Sequence, residues 1–285
     1  MKRENLTNQG AKDRIATMFC LTSLLQRAER IACKLRWLRN LNDDGCAKDE
    51  QLPSGIVNAP AVINGPFAGL IYPENRSVGS RLWPKKLGSY EHELHPLIYQ
   101  LCKTKYEFVI DVGCAEGYYA IGLARAIPST MVYAFDINPI ARSLCAAMAE
   151  LNDVGDRVVV GAECGAEQIV SLTAQFRRGL VMLDCEGSEV EILTDLRCKE
   201  GLASHDILVE CHDFIRPQAA AIISKAYRDT HAILKTMSVP DTEKAITLAF
   251  PEMSDLALET RLEVVRENRP CRMQWLFLKS RCSKR

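Results

Sequence analysis

The sequence predicts an α/β domain in which a mostly parallel sheet carries helices on both faces, and three observations lead there. Phe108 to Leu123 reads as a short apolar strand running into Asp111, a turn bounded by Gly113 and Gly117, and a helix opening at Tyr118. Apolar runs then alternate with helical patterns along the rest of the chain, which implies parallel strands joined by right-handed crossovers. Finally, Asp111, Asp136, Glu163, Asp184 and Glu210 all fall at or just past the ends of predicted strands. That is the edge where such sheets gather their functional groups.

Composition narrows the class. The chain has 285 residues, 47% of them hydrophobic, enough for one large α/β domain with added elements. Lys plus Arg and Asp plus Glu are both 36, so no overall field draws the protein to nucleic acid or to an anionic membrane, and a small-molecule partner is expected. Twelve Cys form no C-x-x-C pair and come no closer than Cys271 and Cys282, which fits reduced thiols in a cytoplasm. No apolar run reaches 18 residues and no signal-peptide pattern is seen, so neither secretion nor membrane spanning is expected.

Taken in order, residues 1 to 11 are polar. From Lys12 to Asn40 the residues Ile15, Met18, Phe19, Leu25, Ala28, Ala32, Leu35 and Leu38 recur at helical spacing among Arg27, Arg30, Lys34 and Arg39. This amphipathic helix or helix pair packs either on its own domain or on a second copy in a homodimer, with a basic membrane-surface helix as the other reading. Asn42 to Gly55 reads as a linker, which divides the chain into a helical extension (1–50), a loop-rich lead-in (51–102) and the core (103–285). Ala59 to Lys86, rich in Gly and Pro, is expected to wander over the surface. A helix is expected from about Gly88 to Cys102, where Tyr90 and Glu91 reach a cofactor or substrate unless Ser89 caps the helix and Glu91 is its first-turn carboxylate.

The remaining strands are read at Met131 to Phe135, Arg157 to Val160, Leu180 to Leu183, Ile207 to Val209, His231 to Met237 and Met273 to Leu278. Helices are read at Ile140 to Leu151, Ala166 to Thr173 and Pro217 to Thr230. About 35 residues separate the last two strands, room for a lid or substrate wall.

The turn after the first strand can lay bare main chain and unpaired N–H groups against a ligand. Asp136, about 20 residues further on, stands where nucleotide-binding folds place the acid that binds ribose hydroxyls. The dinucleotide fingerprint G-x-G-x-x-G is absent; the pattern is Asp111-x-Gly113-x-x-x-Gly117, with Ala115 between the glycines. That pattern resembles the first motif of the class I S-adenosylmethionine-dependent methyltransferases, many of which carry Gly where this chain has Ala115.

A second pair of stretches is more specific. Val181 to Leu193 contains Asp184-x-Glu186-Gly187-x-Glu189, and Ile207 to His212 ends in Glu210-x-His212. Together these resemble the paired signature of the FkbM-type methyltransferases, over roughly residues 88 to 237 and the last strand. The resemblance implies a Rossmann-like seven-stranded sheet of order 3-2-1-4-5-7-6 with the seventh strand antiparallel. It also implies methylation of a small molecule, commonly at oxygen, in a natural-product or saccharide pathway. Asp111, Gly113, Ala115 and Gly117, with Cys114 and Glu116 in the same turn, would line the methionine end of the cofactor. Asp136 would bind the ribose, Ile137 and Asn138 would flank the adenine, and Glu163 and Cys164 would contact its edge.

Methyl transfer asks the protein to align a nucleophile and remove a proton. Asp184 is the leading base or positioning group. A carboxylate is a weak base toward an alcohol, so His212, with an ordinary pKa of about 6.5, is the alternative proton acceptor, fixed by Glu210. Asp184 and Glu186 repeat the two-residue spacing of Glu210 and His212. Asp184, Glu210 and His212 could equally hold a divalent metal ion, with Glu186 left to cap the next helix. No Asn-Pro-Pro-Tyr or Asp-Pro-Pro-Tyr stretch follows the fourth strand, which counts against a nucleic-acid base as acceptor, and Arg76, Arg81, Lys85 and Lys86 read as a solvated surface. The competing functions are a nicotinamide-dependent oxidoreductase, opposed by the glycine spacing, and a non-catalytic binding protein that retains the fold.

Overall fold

The computed structural model describes residue 25, residues 28–36 and residues 52–282 of the chain. Seven strands form one sheet: β1 (Phe108–Val112), β2 (Met131–Phe135), β3 (Val158–Gly161), β4 (Gly179–Leu183), β5 (Asp206–Cys211), β6 (His231–Met237) and β7 (Gln274–Ser280). Their order is β3-β2-β1-β4-β5-β7-β6. β1 to β5 pair in parallel, and β7 runs antiparallel to β5 and β6. This is the Rossmann-like order expected of a class I methyltransferase core.

Alternation along the strands builds the core. Successive side chains of a strand point to opposite faces, so Phe108, Ile110 and Val112 enter one apolar cluster while Val109 enters the other. Val181 and Leu183 divide from Leu180 and Met182 in the same way. Every residue of β1, β4 and β5 is buried, as strands covered on both faces require. One face is covered by α7 (Ala166–Thr173), α8 (Glu189–Thr194), α9 (Leu196–Gly201) and α10 (Ala219–Tyr227). The other carries α4 (His95–Cys102), α5 (Tyr118–Ala126), α6 (Pro139–Leu151), α11 (Asp241–Thr247) and α12 (Leu258–Val265).

Several boundaries shift for local reasons. β3 begins after Arg157, which closes a 3-10 turn and donates from its guanidinium to the Ala124 carbonyl at 2.9 Å. α6 begins at Pro139, because Asn138 caps it by accepting from the Ile140 N–H at 2.9 Å. α10 begins at Ala219, since Gln218 takes a left-handed φ of 64°. The expected helix from Gly88 is interrupted at Glu91, left-handed at φ 48°, followed by a 3-10 turn at His92–Leu94 and then α4. Ser89 is no cap: its hydroxyl faces the Pro84 carbonyl at 3.4 Å.

The stretch from Ala59 to Lys86 does not wander over the surface. Val62, Phe67, Leu70, Leu82 and Trp83 are buried in the same cluster as α5 and α6, and short helices α2 (Ser54–Val57) and α3 (Leu82–Leu87) bracket it. Val62 and Leu70 pair through main-chain bonds, and Ile63 and Asn64 pair with Lys86 and Leu87. Gly88 permits the last contact, because a Cβ there would lie 2.0 Å from the Asn64 carbonyl oxygen. Of the N-terminal amphipathic segment, the described part is helix α1 (residues 28–36), where Cys33 is buried against Phe214 and Met273 while Ile31 and Leu35 stay exposed. The rest of that segment, the polar start and most of the linker lie outside the described residues.

Lys85 and Lys86 are not a solvated basic patch either, since both are buried. Lys86 donates to the Ala59 carbonyl at 2.6 Å and to Asn75 at 3.1 Å. Lys85 meets Glu116 at 2.6 Å, and that carboxylate also accepts from Ser77 Oγ, Tyr72 Oη and the Val78 N–H. Removing one member of a buried pair strands the other charge, at a cost of about 3–5 kcal/mol. Lys85→Met is therefore expected to lose stability on that scale in urea unfolding, and a loss below about 1 kcal/mol would show that the pair does not hold the 72–85 stretch in place.

Candidate active site

The turn between β1 and α5 takes three left-handed residues in five: Gly113 (φ 88°), Ala115 (φ 49°) and Gly117 (φ 104°). Gly113 is forced by proximity as well as by φ, because a Cβ there would lie 1.8 Å from the Asp184 carbonyl oxygen. The N–H groups of Gly113 and Cys114 both donate to the Phe135 carbonyl, and the Asp184 N–H donates to Val112. The ends of β1, β2 and β4 are thereby laced together.

Two acids serve this turn. Asp136 accepts from the Ala115 N–H at 2.9 Å and from the Asn138 N–H at 2.8 Å. Asp111 is buried, with one carboxylate oxygen lacking any partner. Burial, and then the charge of Asp136, raise its carboxyl to about 7 against the opposing pull of the Ala120 N–H.

The second half of the site follows β4 and β5. Asp184 and Glu186 leave β4, with Glu186 left-handed at φ 54°, and Glu210 and His212 end β5. The His212 Nε2 lies 3.3 Å from Glu186, 3.6 Å from Asp184 and 3.6 Å from Glu210. Its Nδ1 lies 2.8 Å from Glu189, which is wholly buried and also accepts from the N–H groups of Cys185 and Gly187. Glu189 fixes the ring so that Nε2 faces the three acids. α8 carries no side-chain cap, so the capping role that the sequence suggested for Glu186 is not taken up.

Arg269, from the segment before β7, binds Glu210 through one guanidinium nitrogen and Glu91 and Glu267 through the others. Glu91 also receives the Tyr119 hydroxyl, and Lys244 joins Glu267 to Glu93. Neither Arg269 nor Glu189 was read as functional from the sequence. Glu189 is the last letter of Asp-x-Glu-Gly-x-Glu, a usable signal, whereas Arg269 stands in a stretch with no pattern.

A cavity of about 350 Å³ opens here. Residues 76–81 form one wall and 267–270 another, with Asn138 and Ile140 at the β2 end and Tyr90, Asp184, Glu186, Glu210 and His212 between them. Of the other expected cofactor residues, Glu91 is turned inward to Arg269 and Glu116 to Lys85. Cys114 and Cys164 are packed in the two apolar clusters, while Glu163 is exposed and Ile137 is 82% exposed. Asp111, Gly113, Ala115, Gly117 and Asp136 form the frame behind the cavity and are not among its lining residues.

The electrostatics are polarised. Burial raises the Asp184 carboxyl well above the ordinary range, and the charges of Glu210, Glu186 and Glu91 push the same way. With 34% of that side chain open to the cavity, the crowding of charge is the part that persists when water enters. Burial alone would lower His212, but Glu189, Glu210 and Glu186 outweigh it and bring the imidazole to about 9. One atom each from Asp184, Glu210 and His212 lie within 4.8 Å of one another, a set of oxygen and imidazole donors that fits a divalent cation.

No family model matches the chain, and no curated protein sequence matches it. Solved structures are similar to part of it. The O-methyltransferase TomG from Streptomyces achromogenes, in complex with SAM, is 12% identical over 68% of this chain and 82% of its own, with TM-score 0.45. A precorrin-6y C5,15-methyltransferase from Geobacter metallireducens is 12% identical over 64% and 84%, with TM-score 0.43. A precorrin 8w decarboxylase from Methanobacterium thermoautotrophicum is 20% identical over 65% and 89%, with TM-score 0.40. No helix among the described residues is long and apolar enough to cross a membrane.

His212 gives a pH test. A pKa raised from 6.5 to about 9 means that the protonated ring contributes stability that is fully present below the unfolded value and is lost as pH rises through about 9. In chelator-treated protein, NMR titration of the His212 ring is expected to show a midpoint near 9, and Glu189→Gln is expected to lower it by about one unit or more. A midpoint at or below 6.5 in the wild type would overturn this account of the cluster.

Proposed function

We propose that this chain is an S-adenosylmethionine-dependent methyltransferase that acts on the oxygen of a small molecule, an FkbM-type enzyme of a natural-product or saccharide pathway. The observation that carries the reading is the left-handed turn from Gly113 to Gly117, wedged against the main chain of Asp184, which lines an acid-rich cavity. The unpartnered Asp111 oxygen and the two N–H groups gathered by Asp136 are polar groups already set at strand ends, and they fit an adenosyl amino acid. Asp136 would exchange a main-chain donor for ribose hydroxyls, Asn138 and Ile140 would border the adenine, and Tyr90 would face the methionine end.

S-adenosylmethionine supplies an activated methyl group. Asp184 would take the proton that the acceptor oxygen gives up. Burial and the charges of Glu210, Glu186 and Glu91 raise the Asp184 carboxyl, so it holds an accepted proton more firmly than an ordinary carboxylate. His212, protonated at neutral pH with a pKa of about 9, is the cation that orients the acids around it. Arg269 holds one Glu210 oxygen and leaves the other toward His212.

A second reading has its own observation, the 4.8 Å grouping of Asp184, Glu210 and His212. These three would hold a divalent cation, and the chemistry it would supply is Lewis acidity toward an acceptor oxygen. Chelation separates the two readings: turnover that survives exhaustive chelator treatment leaves Asp184 as the base, and turnover restored only by added cation assigns the metal.

Calorimetric titration with S-adenosylhomocysteine, in parallel with NAD, tests the proposal directly. Binding of the former alone is expected, weakened about tenfold or more in Asp136→Ala, with a stability gain of about 2.7 kcal/mol at 100 times the dissociation constant. Asp184→Asn is expected to bind the same ligand while losing about 10²–10⁴-fold in turnover. NAD binding without S-adenosylhomocysteine binding would overturn the proposal in favour of the oxidoreductase reading.

A further inference from the structure

The cavity lining carries charge of both signs. Asp184, Glu186 and Glu210 gather around His212, and Arg76 and Arg81 stand on the wall formed by residues 76–81. The third arginine on the lining, Arg269, is committed to Glu91, Glu210 and Glu267. The other two are not so taken. The Arg81 side chain is only 11% exposed, and its Nη2 reaches Glu263 at a long 3.4 Å. Glu263 already binds Arg266 at 2.6 Å through its other oxygen. The Arg81 Nε is buried and has no acceptor, an expensive state for a donor on a charged group. Arg76 is exposed and makes no hydrogen bond or ion pair with a described residue.

This wall is anchored from behind. Ser77 Oγ and the Val78 N–H both donate to Glu116, so the stretch carrying the two arginines is tied to the turn at the end of β1. Gly79, left-handed at φ 74°, has no atom within 4 Å of where a Cβ would stand. The stretch that carries the two arginines is therefore held in place, and guanidinium groups on a fixed base suit bidentate capture of a carboxylate or phosphate.

We propose that Arg76 and Arg81 recognise an anionic group, a carboxylate or a phosphate, carried by the methyl acceptor at the end opposite its reacting oxygen. The inference rests on the methyltransferase reading and narrows its substrate class to hydroxy acids and phosphorylated polyols. Polarity fixes the direction of entry, because an anionic group is repelled by the acids and drawn to the arginines. A neutral polyol of the same shape offers only hydroxyl acceptors to these guanidinium groups, whereas a carboxylate or phosphate makes the stronger charge-assisted, bidentate bonds.

The test is calorimetric titration of inorganic phosphate into the full-length protein, with and without saturating S-adenosylhomocysteine. It compares the wild type with Arg76→Met, Arg81→Met and Arg81→Lys, and uses Lys279→Met, an exposed charge outside the cavity, as control. Phosphate is expected to bind the wild type and the control alike, about tenfold or more weaker in each methionine variant, with partial recovery in Arg81→Lys and S-adenosylhomocysteine affinity held within about twofold throughout. No phosphate binding in the wild type, or binding indifferent to Arg81, overturns the proposal. So does a tenfold loss of S-adenosylhomocysteine affinity in Arg81→Met with 5′-methylthioadenosine, which lacks the carboxylate, unaffected; the arginines then serve the donor's own carboxylate. If the wild type binds no S-adenosylhomocysteine but its phosphate site still depends on Arg81, the methyltransferase reading fails while the anion-recognising wall stands.

Discussion

The close approach of Gly113 to the Asp184 carbonyl is the constraint on which the rest of the site depends. A Cβ at 113 would sit 1.8 Å from that oxygen, so the first turn and the end of β4 fit together only because one of them carries no side chain. With that contact made, the left-handed turn, the Asp136 clamp on Ala115 and the position of Asp184 are all set by the same few main-chain bonds. The left-handed turn and the acid cluster after β4 and β5 are one mechanical unit.

Around that unit the fold assembles charge where burial would ordinarily exclude it. Glu91, Glu189, Glu210 and Glu267 are all nearly inaccessible, and each is matched: Glu189 by His212 and two N–H groups, the other three by Arg269. Buried charges persist only when paired, so these pairs define how many negative groups the cavity can carry. Asp184 and Glu186 face the cavity, and burial together with the charges of Glu210, Glu186 and Glu91 raises the Asp184 carboxyl.

The core of this architecture was legible because it is periodic. Apolar runs alternating with helical patterns, the spacing from Asp111 to Gly117 and the acids at strand ends gave the sheet and put Asp184, Glu186, Glu210 and His212 in one place. What was not legible lacked a period. The 59–86 stretch buries Val62, Phe67, Leu70 and Trp83 at irregular intervals, so it reads as a loop until its packing is seen. Lys85 and Arg269 look like any surface cations in sequence, and only the fold shows that each stands opposite buried carboxylates. Glu91 and Glu116 illustrate the converse: residue type and position suggested ligand contact, while the tertiary partners, Arg269 and Lys85, draw both side chains inward.

The Arg269 node also orders events in time. Its partner Glu91 lies 178 positions earlier in the chain and Glu210 lies 59 earlier, so closing the node means closing very long loops. Contacts of that sequence separation carry a loop-closure cost in entropy before the ion pairs can offset it. In a chain made from its N-terminus, the acids at 91 and 210 wait without their counter-charge until the segment before β7 arrives. Where such pairs close after the folding barrier, they act chiefly to slow unfolding. The same ion pairs that shape the site would then serve as a kinetic latch on the finished domain.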